Sequence, residues 1–309
     1  MIRNVTLRMA SVQGEDESHL TRRLGVVLFA LGIGVAAATL LGPLVFDLIR
    51  YHVVDEVLNQ VVGSDAIGLL LVVPAALAAG MLTLRGHPVG PVMALAPAGY
   101  AVYVYTQLAI GGEFASQPGN SERFFPLFLA IFLLGGAAIV MAWKTVDDRQ
   151  LPEPSAGMRR TASTVLFLLA TFMTLGLHLP GLVDVIGGKP YGIEYTQSPA
   201  VFWIVKLMDL GIVVPVALIT GIGVLRGVTW ANKLMYAVIG WGALLGTAVA
   251  GMGVVMVING DPAASLVGTA VFIGFSLALL ALAVWLFMPL FAVPETTISE
   301  ERPGSSEVP

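Results

Sequence analysis

One apolar segment is written twice in this chain, and that repetition constrains the fold more than any other feature. Residues 72–86 read Val-Val-Pro-Ala-Ala-Leu-Ala-Ala-Gly-Met-Leu-Thr-Leu-Arg-Gly, and residues 213–227 read Val-Val-Pro-Val-Ala-Leu-Ile-Thr-Gly-Ile-Gly-Val-Leu-Arg-Gly. Aligned on Pro74 and Pro215, both follow Val-Val-Pro-x-Ala-Leu-x-x-Gly-x-x-x-Leu-Arg-Gly without a gap. Two unrelated apolar stretches do not reach that match by chance, so the chain reads as a duplicated, all-α, polytopic membrane helix bundle.

The setting follows from composition. Of 309 residues, 57% are hydrophobic and 12% charged, roughly half the charge of a soluble domain. Apolar runs of about 20 residues cross a hydrocarbon core about 30 Å thick, and about eight can be drawn: 24–46, 65–84, 89–110, 124–143, 162–182, 201–225, 232–258 and 265–291. Backbone groups in lipid must pair within their own segment, so each run is expected to be a transmembrane helix. The first follows a polar stretch with Arg3, Arg8, Arg22 and Arg23 and is too long for a secretory signal core, which marks an uncleaved span. Without cysteine the chain has no disulfide, thiolate metal site or thiol chemistry. A net charge of -4 gives no reason to expect a nucleic-acid partner; the lipid bilayer is the implied one.

Positive charge sets orientation. With the N-terminus inside, Arg3, Arg8, Arg22, Arg23, Arg85, Lys144, Arg149, Arg159, Arg160, Arg226, Lys233 and Arg302 are cytoplasmic, leaving Arg50, Arg123, Lys189 and Lys206 on or toward the other side. Both termini are then cytoplasmic, in a multi-pass protein of the plasma membrane. The organisation expected is a cytoplasmic segment 1–23, a four-helix repeat 24–143, a cytoplasmic linker 144–161 containing Pro152 and Pro154, a second four-helix repeat 162–291, and a disordered cytoplasmic tail 292–309 rich in Pro, Ser and Glu. Four spans per repeat give both copies the same polarity, hence two parallel repeats about an axis along the membrane normal.

Two outer segments are longer than turns. Asp47 to Ser64 has the spacing of a short amphipathic helix lying on the outer surface, and Pro180 to Pro199 reads as an ordered loop rich in turn residues. Gly242, Gly246 and Ala250 stand one turn apart on the seventh span, where small residues admit a neighbouring backbone. Pro74 and Pro215 each free a helical carbonyl and suit curvature, a hinge or a cavity lining.

Ionisable residues inside a span are costly and usually face a partner or a cavity. Lys206 and Asp209, three apart on the sixth span, share one face and read either as a structural ion pair or as a ligand or ion site. Tyr103 and Gln107, four apart on the third span, are either interfacial side chains or the lining of a pocket. Glu113 and Glu194 would stand at its rim. Asp209 has no acidic counterpart, because the position matching it across the proline anchors is Gly68. His52 and His178 are weak candidates for a shared metal or haem iron. Arg85-Gly86 and Arg226-Gly227 suit helix C-termini. No His-Glu-x-x-His, Gly-x-Ser-x-Gly or Gly-Lys-Ser/Thr signature occurs, so the reading leans away from an enzyme, and no cofactor is assigned.

The runs Leu84-Arg85-Gly86, Gly99-Tyr100-Ala101-Val102-Tyr103-Val104-Tyr105, Gly111 and Phe125-Pro126-Leu127-Phe128-Leu129 form one block, and Ile204 to Arg226 a second. Together they resemble recurring blocks of an uncharacterised family of multi-span bacterial integral membrane proteins. That resemblance implies a helix bundle in which the third and sixth spans matter, and it carries no activity. This chain has Lys206 where the pattern implies Gln, and a longer outer turn from Glu113 to Arg123. The function expected is binding or transport of a small polar molecule, an ion or a lipid head group through an outward-facing polar pocket. The alternatives are a structural or accessory subunit docked to another membrane protein, and a membrane-embedded lipid-modifying enzyme using outer-face acids as general base.

Overall fold

A computed structural model describes residues 2–148, 151–189 and 192–292. Among these it is helical without strands. Eight long helices follow in order: α1 (Ile2–Leu41), α2 (Asp55–Leu84), α3 (Val89–Ile110), α4 (Ser121–Thr145), α5 (Ala156–Ile186), α6 (Pro199–Leu225), α7 (Thr229–Ile258) and α8 (Leu266–Phe291). Seven are long and apolar enough to cross a membrane, Ser18–Leu41 being the part of α1 that qualifies. The protein is therefore a polytopic membrane helix bundle.

The exception is α3, the helix expected as the third span. Two prolines, three tyrosines, Thr106 and Gln107 lower its apolarity. Its surroundings explain why that is tolerated: Val89, Val92, Ala94, Leu95, Ala98 and Ala101 are all buried against other helices. A helix enclosed by protein needs no continuous lipid-facing surface. The outer helices are the reverse case, with Leu133 and Val140 on α4 and Leu277, Val284 and Met288 on α8 exposed as a lipid-facing belt requires.

Two outer segments differ from expectation. No separate surface helix occupies Asp47 to Ser64. Residues from Asp55 onward are the first turns of α2, and the polar side chains that suggested a surface face another helix instead. Asn59 Nδ2 donates to Asp261 Oδ2 at 2.8 Å, and Asn259 Nδ2 donates to Asn59 Oδ1 at 2.6 Å, tying α2 to the end of α7. The stretch expected as a loop from Pro180 to Pro199 is largely helical, with α5 continuing to Ile186 and a short helix at Gly192–Gln197. Within the expected linker, α4 runs to Thr145 and α5 starts at Ala156, where Ser155 Oγ accepts the Met158 N–H at 3.2 Å. The tail after Ala292 lies outside the described residues.

Three prolines produce the main irregularities. A proline inside a helix has no N–H to give, and its ring crowds the carbonyl four residues back. Ahead of Pro74, Pro215 and Pro180 the chain relieves this by widening into a π turn. The preceding residue reaches five back, Val73 N–H to the Gly68 carbonyl, Val214 to Asp209 and Leu179 to Thr174. The turns Gly68–Val72 and Asp209–Val213 fall at matching positions of the duplicated segment. The third, Phe172–His178, lies in α5 and has no counterpart in α1, which is regular. Single π turns inside α-helices are frequent at functional sites.

The centre of the bundle is the crossing of α3 with α7. A Cβ on Gly240 would lie 3.0 Å from Ala96 Cβ, and one on Gly99 would lie 3.4 Å from the Trp241 side chain. Lys233, expected on the cytoplasmic side, is buried at the start of α7. It donates to the Trp143 carbonyl and, at 2.7 Å, to that of Val146, with Asp148 Oδ1 3.5 Å away. It thereby satisfies carbonyls at the end of α4 that lack helical donors.

Candidate functional site

Asp209 is the first residue of the π turn in α6, ten residues beyond Pro199, or about 15 Å along the helix. That is half the thickness of a hydrocarbon core, too deep for a short carboxylate to reach water along its own helix. Its two oxygens are taken by other helices. Tyr103 of α3 donates its hydroxyl to Oδ1, and His178, the last residue of the π turn in α5, sets Nε2 2.8 Å from Oδ2. Asp209 and His178 are 4% and 2% exposed. Two π turns thus face each other through one carboxylate–imidazole pair.

The pairing differs from the one the sequence suggests. Lys206 and Asp209 do lie on the same side of α6, but Lys206 places its ammonium over the ring of Phe202, 3.4 Å from the centroid. The i, i+3 spacing identified a shared face; which groups meet each residue there depends on α3 and α5.

A cavity of about 550 Å³ runs from His52 and Gly112, at the end expected to be external, inward past Asp209 to Trp241. Of the candidate ligand residues, Lys206, Asp209, Tyr103 and Gln107 line it together. Glu113 does not. Its Oε1 accepts the Ala200 N–H at 2.6 Å, in the first turn of α6, where a carboxylate is favoured by the helix dipole. The side chain of Glu194 lies outside the described residues. Gly242, expected at a helix contact, faces the cavity with nothing within 4 Å of an added Cβ, whereas Gly246 meets Leu279 of α8 at 3.3 Å.

His52 and His178 both line the cavity but do not act as a pair. His52 sits at the mouth, its Nε2 2.6 Å from Glu122 Oε2 and its Nδ1 2.7 Å from the Gln117 carbonyl. The carbonyl accepts, as does Glu122 when ionised, and this arrangement favours the imidazole with hydrogen on both ring nitrogens. Burial lowers its pKa, but the bonds to Gln117 and Glu122 outweigh that and hold it above the ordinary histidine value. Among the described residues no group of three or more histidines or acids is arranged to hold a metal.

Two lining residues lie outside the candidate set. Asp65 of α2, nine residues before Pro74 where Asp209 is six before Pro215 and so not equivalent to it, lines the same cavity and is 6% exposed. Trp241 of α7 lines it too, with its ring edge-on to Tyr103 at 5.7 Å. A signal for the role of His178 was present, since it precedes Pro180 inside an apolar run as Asp209 precedes Pro215. Three lining residues carry a buried polar atom without a hydrogen-bond partner: Asp65 Oδ2, His178 Nδ1 and Trp241 Nε1. No protein-family model, curated protein or solved structure matches this chain, so the meaning of the site rests on its own chemistry.

Proposed function

We propose that this integral membrane protein binds or carries a small polar molecule, an ion or a lipid head group in the cavity at Asp209. The observation that carries the reading is a cavity inside the bundle whose lining brings together the buried side chains of Asp65, Tyr103, His178, Lys206 and Asp209. Polar and ionisable groups are costly inside a membrane bundle and stand there where an ion or substrate is to be met. The volume of about 550 Å³ lies within the range of small-molecule sites. Asp209 fixes the polar end of the occupant, and Tyr103 and His178 hold its carboxylate in place.

The reading includes eight crossings in two tandem four-helix repeats, both termini on the cytoplasmic side of the plasma membrane. Supporting it are the matched π turns before Pro74 and Pro215 and the length of α3, about 33 Å at 1.5 Å per residue.

Mass spectrometry of gently purified protein tests the binding function. A molecule retained by the wild type and lost in Asp209→Asn, with insertion intact, is the expected result; retention unchanged by the substitution would overturn it. Because the chain lacks cysteine, single-cysteine labelling tests the topology. Ser116→Cys should react from outside, and His87→Cys and Ser155→Cys only after permeabilisation. Reaction of His87→Cys from outside would remove α3 from the set of spans.

A further inference from the structure

The proposed cavity contains two buried carboxylates from different halves of the chain, Asp65 on α2 and Asp209 on α6. A carboxylate withdrawn from water either takes up a proton or requires a cation nearby. Asp209 faces His178, whereas Asp65 meets no cationic side chain among the described residues, so an ionised Asp65 leaves a negative charge for an occupant to balance. The walls suit an organic cation. Tyr103 and Trp241, both in the lining, stand edge to face, and Phe172 of α5 meets Phe272 and Phe275 of α8 at 5.9 and 6.3 Å. Aromatic faces attract cations, most strongly where water is excluded.

In the first half, α1 and α4 lie close enough that a Cβ on Gly34 would meet Ile131 at 3.0 Å. The corresponding helices of the second half, α5 and α8, meet through the rings of Phe172, Phe272 and Phe275, all of which line the cavity. Side chains swing in picoseconds to nanoseconds where packed backbones do not separate. A lipid-dissolved molecule would therefore enter between α5 and α8.

Resting on the binding function proposed above, we infer that the occupant is an amphipathic organic cation. Its charged centre is held between Asp65 and Asp209, and its apolar body lies against the aromatic seam of α5 and α8. A bare metal ion fits less well, since the described residues offer no cluster of ligands for one.

The test uses the full-length protein in lipid nanodiscs and two probes of like shape and opposite charge, tetraphenylphosphonium and tetraphenylborate, with tryptophan fluorescence as the readout. The phosphonium should bind saturably, and Trp241→Phe should remove most of the signal. Asp65→Asn and Asp209→Asn should each weaken binding at least tenfold, and Asp209→Glu should restore most of it. Equal binding of the borate, or phosphonium binding unchanged in both Asn variants, overturns the inference. If Asp209→Asn fails to fold, Asp65→Asn decides. Failure of the phosphonium to bind, together with an Asp209-dependent neutral or anionic molecule in the purified protein, ends the cation assignment and leaves the binding function standing. If no probe binds and nothing is retained, both fall.

Discussion

In the first half of the bundle, the π turn before Pro74 is packed shut, with Gly68 at its start near Thr39 and the hydroxyl of Tyr100. In the second half, the matching π turn before Pro215 starts with Asp209 and borders a cavity. One residue position goes far to explain the difference. A Cβ on Gly63 would lie 2.5 Å from the Gly251 carbonyl oxygen and from Met252 backbone atoms, so α2 and α7 touch backbone to backbone. Laying Pro74 on Pro215 puts Ile204 where Gly63 stands, and Ile204 sets a branched side chain against Gly111 at the end of α3. The glycine closes one crossing. The isoleucine keeps a side chain between α6 and α3, whereas α2 and α7 meet backbone to backbone. A local backbone device can thus be duplicated while its use is decided by side-chain volume one helix crossing away.

The strongest way to break this comparison is at the glycine. Gly63→Val forces a branched side chain into backbone and should cost about 3 kcal/mol or more, read as loss of stability in detergent unfolding. The reciprocal change, Ile204→Gly, should let α6 settle toward α3 and reduce retention of any bound molecule. A cavity and an occupancy unchanged by Ile204→Gly would show that this residue does not set the spacing.

The two acids offer a second contrast. Asp209→Ala leaves the Tyr103 hydroxyl and His178 without their acceptor and should destabilise by about 3 kcal/mol, in the range for breaking a buried pair. Asp65→Ala removes a carboxyl whose Oδ2 has no hydrogen-bond partner and should cost less than Asp209→Ala, since deleting that oxygen strands no donor. Equal losses would mean the two sites are held in the same way.

Lys233 joins the halves, because it reaches from α7 to carbonyls at the end of α4. Lys233→Met should cost about 1–2 kcal/mol by stranding those carbonyls, and an unchanged unfolding midpoint would remove it as a clamp.

The smallest effect belongs to the mouth of the cavity, where His52 ties the segment before α2 to the turn before α4. Its pKa is raised in the folded protein. The stabilisation is therefore fully present below the unfolded histidine value of about 6.5 and is lost as pH rises through the higher folded value. The thermal midpoint should fall gently across that window, and His52→Asn should flatten the profile. A wild-type profile already flat would remove the latch.

Much of the architecture was legible along the chain. Apolar runs long enough for a bilayer became helices, and the repeated Val-Val-Pro located two π turns before any packing was known. The misreadings have a common cause. Asn59 and its polar neighbours looked like a face turned to water because sequence shows that a side chain is polar without showing which helix supplies its partner. Lys206 and Asp209 looked like a pair for the same reason: spacing fixes the shared face, while Phe202, Tyr103 and His178 arrive there from different distances in the chain.

The amino-acid sequence by itself determined the membrane setting, the helices and the places where proline interrupts them, because these depend on hydrophobicity and backbone chemistry within a few turns. Only the tertiary structure decided that Asp209 meets His178 and Tyr103, that Asp65 shares its cavity, and that the π turn before Pro74 is packed shut while the one before Pro215 borders the cavity. Those outcomes depend on how closely helices approach, and that distance is set where glycine or isoleucine meets a backbone far away in the chain.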